Sequence, residues 1–253
     1  MTRPLLITAV CSFVAAVVCF SLAWTLGGFS WERWRFDNRD WFFDAPRHYD
    51  GPPVDGGGPD VTRTLDWTGD DELTVAAPAD VVYVQGPAGK IVIKGPQRTV
   101  DEVEVHDGRV RFRHQVRTPG RLDIRVTAPA VHEFVMAGSQ TLQIQGYDQD
   151  ELEITVAGAG SIHAEGRARR VEMRIAGSGD ADLGGVRAEE GEVSIAGSGK
   201  ATLAPTRRAE VNIAGSGDVI LLTDPPNLAT RIFGSGRILR RPAEGPKPGE
   251  TSV

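Results

Sequence analysis

The alternation of apolar and polar residues changes period along the chain. From Leu5 to Leu26, "LLITAVCSFVAAVVCFSLAWTL", 22 residues pass without a charge. As a helix rising ~1.5 Å per residue, such a run is about 33 Å long, enough to cross a hydrocarbon core of ~30 Å. It predicts a transmembrane helix. From Val61 onward the period is two: "LTVAAPADVVYVQG", "KIVIKG", "DEVEVHDGRVRFRH" and "RLDIRVTAP" alternate apolar and polar residues between breaks at Gly, Pro and Asp. These stretches predict short strands, and no window in this part longer than ten residues carries a helical period. The body is therefore predicted to be all-β.

A repeat is superimposed on the alternation. The tetrapeptides "AGSQ", "AGAG", "AGSG", "AGSG", "AGSG" and "FGSG" start at Ala137, Ala157, Ala176, Ala196, Ala214 and Phe233, spaced by 20, 19, 20, 18 and 19 residues. A nearly constant period of this length marks a solenoid, in which equivalent residues of successive coils stack one strand spacing apart, roughly 4.8 Å. The flanks then read as apolar columns. Met136, Val156, Ile175, Ile195, Ile213 and Ile232 precede the motif, and Leu142, Ile162, Ala181, Ala201, Val219 and Ile238 follow it. Each coil is expected to run strand, Gly-rich corner, strand and variable arc. The few inward side chains of one coil cannot offset the entropy of ordering it, so the coils must stack to fold. Gly138, Gly158, Gly177, Gly197, Gly215 and Gly234 form the predicted corner column, where backbone meets backbone and a Cβ would clash.

These patterns divide the chain into an anchor over 1–28, an aromatic segment and linker over 29–60, irregular N-terminal coils over 61–130, regular coils over 131–241 and a disordered tail over 242–253. Some eight or nine coils are expected in all. The competing reading of the first segment is a cleaved signal peptide, but its apolar run would usually be shorter, and no clear small-residue cleavage site follows. An uncleaved helix with a short cytoplasmic N-terminus and an exported body is the simplest topology; the opposite orientation leaves the body in the cytoplasm. "FSWERWRFDNRDWFFDAPRHY", from Phe29 to Tyr49, joins aromatic rings to Arg33, Arg35, Arg39 and Arg47. It suits a membrane interface or an amphipathic helix lying on the body. "DGPPVDGGGPD", with seven Gly or Pro in eleven residues, is a linker.

Composition narrows the function classes. Both cysteines, Cys11 and Cys19, lie in the apolar run, so the body has no thiol or disulfide. Its histidines have no ligand-like spacing, and neither a metal nor any other cofactor is expected. A net charge of −6 and the absence of a basic, aromatic-interleaved run argue against nucleic acid. The glycine motifs lead into strands rather than a helix, so they are not phosphate loops, and alanine stands where an esterase elbow needs glycine. The serines of the motif are better explained by hydroxyls bonding to corner backbone.

Two polar columns carry the candidate chemistry. After the corner come Asp180, Lys200, Asp218 and Arg237, alternating charges that would repel a bound calcium and form a surface ladder instead. Before it, Glu133, Glu153, Glu172, Glu192 and Glu210 occupy one outward position in five coils. They read either as a solvated face relieved by Arg174 and Arg231 or as an acidic stripe that docks a cationic partner or a divalent ion. Asp180 and Asp182, about 7 Å apart on one strand face, have the separation of an inverting glycosidase pair. Aromatic subsites are missing from the repeats, so catalysis is not expected.

Repeated "AGSG" after isoleucine, preceded by "LTVAAPADVVYVQG" and placed behind an N-terminal membrane segment, resembles the auto-transporter adhesin head domain called the GIN domain. The resemblance covers roughly Leu73 to Arg241 and implies a β-solenoid on the bacterial cell envelope. It brings no catalytic residues. The expectation is a single-pass protein of the cytoplasmic membrane with its body in the periplasm or extracytoplasmic space, serving as a non-enzymatic binding or interaction module for an envelope polysaccharide or an envelope protein. A structural or stress-related partner of another membrane protein, and a carbohydrate-active β-helix enzyme, are the alternatives.

Overall fold

The computed structural model describes residues 53–241, apart from 68 and 70. The predicted transmembrane helix over Leu5–Leu26, the aromatic segment and the predicted tail lie outside the described residues. Among the described residues no helix is long and apolar enough to cross a membrane.

The N-terminal part runs β1 (Val54–Asp55), β2 (Asp60–Asp66), β3 (Glu72–Val75), β4 (Ala79–Gln85), β5 (Lys90–Pro96), one short helix α1 (Gln97–Asp101), β6 (Val103–His106), β7 (Arg109–Phe112), β8 (Val116–Arg117) and β9 (Leu122–Ala128). The repeats follow as β10 (Glu133–Gly138), β11 (Thr141–Gly158), β12 (Ser161–Gly177), β13 (Asp180–Gly197), β14 (Lys200–Gly215), β15 (Asp218–Leu221), β16 (Asn227–Gly234) and β17 (Arg237–Arg240). All pairings among β10 to β17 are parallel, as required when each coil is laid on the one before.

The register aligns the apolar columns. Phe134, Ile154, Met173, Val193 and Val211 stack in one inward row, and Met136, Val156, Ile175, Ile195 and Ile213 in the next, all essentially without solvent contact. Alternation puts these residues inside because successive side chains of a strand point to opposite faces. Toward the N-terminus larger side chains fill the section: the rings of Tyr83 and Phe134 meet edge to face at 5.0 Å, and Tyr147 packs on Phe134 at 6.4 Å. The stack ends at β16 and β17, where Ile232 is 41% exposed because no further described coil covers it.

Two expectations change. The variable arcs are not loops: strand pairing continues through them, with Asp148 opposite Arg167 and Arg167 opposite Arg187. A register shift between Ile144 and Tyr147 absorbs the difference in coil length, helped by Gly146 at φ +64°. The solenoid also has about 5 turns rather than eight or nine. Over 61–130 parallel and antiparallel pairings are mixed. β3 and β4 lie parallel on β10 and β11, and β7 and β9 lie parallel on β3 and β4 in turn. β2 pairs antiparallel with β5, β5 with β9, and β6 with β7. Period-two alternation is the same in parallel and antiparallel strands, so it could not distinguish a coil from a hairpin.

Candidate binding surface

The corner explains the repeated glycines. Gly138, Gly158, Gly177, Gly197, Gly215 and Gly234 stand in one register column, each with φ between +125° and +131°. L side chains rarely adopt such backbone, and there is no room for one. A Cβ on Gly177, Gly197 or Gly215 would lie 2.3 Å from the carbonyl oxygen of the preceding corner glycine. That carbonyl accepts a hydrogen bond from the next residue of the following coil: Ser178 N–H donates to Gly158 at 2.9 Å and Ser198 N–H to Gly177 at 2.8 Å. Backbone, rather than the expected serine hydroxyls, therefore links corner to corner; the alanine of "AGAG" makes the same bond, Ala159 N–H to Gly138 at 2.8 Å.

The first copy, "AGSQ", departs from the others for a structural reason. Gln140 takes the place of the motif's second glycine and is 2% exposed. Its Nε2 donates to the carbonyls of Ala137 at 2.6 Å, Ala77 at 3.2 Å and Val75 at 3.3 Å. Where no earlier AGSG corner is stacked, the amide closes the column.

The glutamates stand where the repeat puts them, in unbroken register from Glu133 through Glu153, Glu172 and Glu192 to Glu210, and β3 adds Glu72 at the head of the row. The face is not an open solvated one. The side chains of Glu172 and Glu210 are only 17% and 11% exposed. Arginines from the two flanking rows thread between the carboxylates. Arg174 bonds both Glu153 and Glu172. Arg170 reaches Glu192 at 3.1 Å, and Arg231 reaches Glu210 at 3.0 Å. Burial pushes the Glu172 carboxyl up; Glu192 and Glu153 add to this, against the opposing charge of Arg174. Burial works against the charge of Arg174 as well, but Glu172 and Glu153 outweigh it and hold its guanidinium above the usual value. This is an interlocked ladder in which removing one charge strands its neighbours.

The second polar column is also in register, Asp180 beside Lys200, Lys200 beside Asp218, and Asp218 beside Arg237. Arg237 clasps Asp218 at 2.6 and 3.0 Å, and this hydrogen bonding holds the Asp218 carboxyl below its usual range. Asp182, the other half of the carboxylate pair, accepts a bond from the Gly184 N–H at 3.0 Å and lies 3.8 Å from His163. Both aspartates stand on exposed strand surface. Among the described residues no group of His, Cys, Asp and Glu converges to hold a metal ion.

The arcs add a further polar surface. A groove of about 570 Å³ crosses them, lined by Asp148, Arg167, Arg169, Arg187, Glu189 and Thr206 among others. Arg167 binds Asp148 bidentately at 2.8 and 3.0 Å, and this hydrogen bonding holds the Asp148 carboxyl below the usual range. Arg207 pairs with Glu189 at 2.8 Å. Among the described residues the side chains of Arg169 and Arg187 have no hydrogen-bond or ion-pair partner.

A stack of parallel coils with a glycine corner and outward polar rows defines a β-solenoid. Residues 71–225 match the family described as "Putative auto-transporter adhesin, head GIN domain", and the chain belongs to that family. Comparison with curated proteins finds none that matches. Among solved structures, a "putative adhesin" from Bacteroides fragilis superposes with a TM-score of 0.60 at 20% identity, over 74% of this chain and 99% of that one. Adhesins so described from Parabacteroides merdae and Parabacteroides distasonis give TM-scores of 0.50 at 18% and 17% identity, each over 75% of this chain and 99% and 100% of theirs. At these identities the likeness is one of fold.

Proposed function

We propose that the protein is a non-enzymatic binding module of the bacterial cell envelope, held at the cytoplasmic membrane by the Leu5–Leu26 helix with its solenoid outside the cytoplasm. Its partner is an envelope polysaccharide. Membership of the adhesin-head family supports the extracytoplasmic setting. The observation that carries the binding role is the unbroken register of outward rows from β10 to β14. Identical strand positions repeated at roughly 4.8 Å on a rigid stack suit the recognition of an extended polymer, as concave and flat solenoid faces commonly do. The glutamate column enters this reading as the ladder that holds one face together, since its carboxylates are recessed and engaged by Arg170, Arg174 and Arg231.

The test is a glycan and cell-wall binding screen with the full chain, run beside a variant with Glu153, Glu172, Glu192 and Glu210 changed to Gln. Saturable binding is expected in the parent, and in the variant wherever it stays folded. Loss of binding in a folded variant would make the column the contact surface. A folded parent that binds no glycan and instead co-purifies with one defined membrane protein would replace this reading with that of a structural envelope partner.

A further inference from the structure

We propose that the arcs of the regular coils carry an oxyanion seat between Arg167 and Arg187, and that it takes the carboxylate or phosphodiester group of an anionic envelope polymer. The inference rests on the binding-module reading and names its site and ligand class.

Outward charges of neighbouring coils are balanced in one of two ways. They alternate in sign along a column, with Asp218 between Lys200 and Arg237 and Glu190 between Arg170 and Arg208, or, in the glutamate column, arginines from the flanking rows engage them. Like charges placed opposite each other on adjacent strands are destabilising, which is why such alternation is favourable. In the arc the order is Asp148, Arg167, Arg187, two guanidinium groups in successive coils with no carboxylate between them. Arg167 is satisfied from the other side by Asp148, with distances of 2.8 and 3.0 Å. Arg187 has no such partner among the described residues, nor has Arg169, two positions along the strand from Arg167.

Three acids line the groove with these arginines. Asp148 is committed to Arg167, and Glu189 to Arg207 at 2.8 Å. Asp150 stands level with Arg169, between the pairs Gln149–Ala168 and Glu151–Arg170. The charge left without a facing acid is that of Arg187, in the groove of about 570 Å³. Guanidinium forks match the planar oxygens of a carboxylate or phosphate and pair with them bidentately. An oxyanion lodged between Arg167 and Arg187 restores the missing alternation. A free ion gains little at so exposed a site. A polymer lying along the groove adds contacts, and once one group is seated the next binds at high effective concentration.

The experiment measures binding isotherms of the full chain in non-ionic detergent. The probes are polygalacturonate, a poly(glycerol phosphate), and fully methyl-esterified polygalacturonate as the neutral control. One or both polyanions are expected to bind, and the neutral polymer not to; which polyanion binds distinguishes the carboxylate from the phosphodiester source. Arg187→Gln should weaken binding by about 10-fold or more, and Arg187→Lys by less. Arg125→Gln removes another exposed arginine charge elsewhere and should change little. Asp148→Asn frees Arg167 and should tighten binding, a gain that misfolding cannot produce. The proposal is overturned if neither polyanion binds, if Arg187→Gln binds like the parent, if Arg125→Gln weakens binding as much, or if Asp148→Asn fails to tighten it. Saturable binding of a neutral glycan alone sinks the oxyanion seat and leaves the binding-module reading intact; no binding to any glycan removes both.

Discussion

Replacing Gly197 with alanine tests the corner geometry at its tightest point. The new Cβ would stand 2.3 Å from the Gly177 carbonyl oxygen and 3.1 Å from its carbon, on a backbone at φ +131°. Backbone in this region costs a non-glycine residue about 1–3 kcal/mol. Relieving the contact means moving one coil away from the other, an overpacking strain of about 1–3 kcal/mol. The same movement lengthens the Ser198 N–H bond to Gly177, now 2.8 Å, at a further cost of about 0.5–1.5 kcal/mol. The sum is roughly 3–7 kcal/mol, which for a domain of this size lowers Tm by about 6–28 °C. Two companions separate the causes. A Cβ on Gly146, at φ +64°, meets nothing within 4 Å, so its alanine variant carries backbone strain alone. A Cβ on Gly138 meets only the Gln140 side chain, at 3.1 Å, because no earlier corner glycine is stacked against it. Thermal unfolding followed by circular dichroism should rank the losses Gly197→Ala first, with Gly138→Ala and Gly146→Ala clearly smaller. Equal losses at all three would refute the contact argument and leave only the positive φ.

Gln140→Ala should lower Tm by about 2–12 °C, because the carbonyls of Val75, Ala77 and Ala137 lose a buried donor worth about 1–3 kcal/mol; an unchanged Tm would mean that the amide is not what closes the column. The Glu172 carboxyl has its folded pKa raised above the ordinary 4.5, so between those values the native state binds more protons than the unfolded chain and stability falls as pH rises. Glu172→Gln removes that slope: the Tm of the variant relative to the parent should climb as pH rises from about 4.5 toward neutrality, and a constant difference would show that Glu172 does not titrate as argued. Asp80 has its carboxyl lowered by the hydrogen-bonded guanidinium of Arg121, so its contribution is present above pH 3.8 and lost as pH falls through the lower folded value. Asp80→Asn should therefore cost stability at neutral pH and progressively less in acid, measured as Tm against pH.

What could be read from the sequence follows from where the chain repeats itself. The corner glycines and inward rows are periodic, so alignment by motif alone placed Gly138 through Gly234 and Met136 through Ile213 in their columns. The row of glutamates was visible for the same reason, but its burial was not, because alternation reports which face a side chain takes and not what stands beside it. Glu72 joins the row from β3, 61 residues before Glu133, outside the period altogether. "AGSQ" showed that the first copy differs; only the contact of Gln140 with β3 and the segment after it shows why. The arcs vary in length, and register shifts between Ile144 and Tyr147, and between His163 and Glu165, displace columns counted forward from a corner. Counted back from the next motif alanine the arc column is legible: Asp148, Arg167 and Arg187 each stand nine residues before Ala157, Ala176 and Ala196.

The most direct test of the central claim, that this solenoid binds an envelope polymer without transforming it, is co-sedimentation of the full chain with isolated cell-wall polymer, with the polymer's chain length measured before and after. The account predicts saturable, reversible binding and an unchanged polymer. Folded protein that shows no saturable binding, or a polymer shortened in its presence, would contradict it.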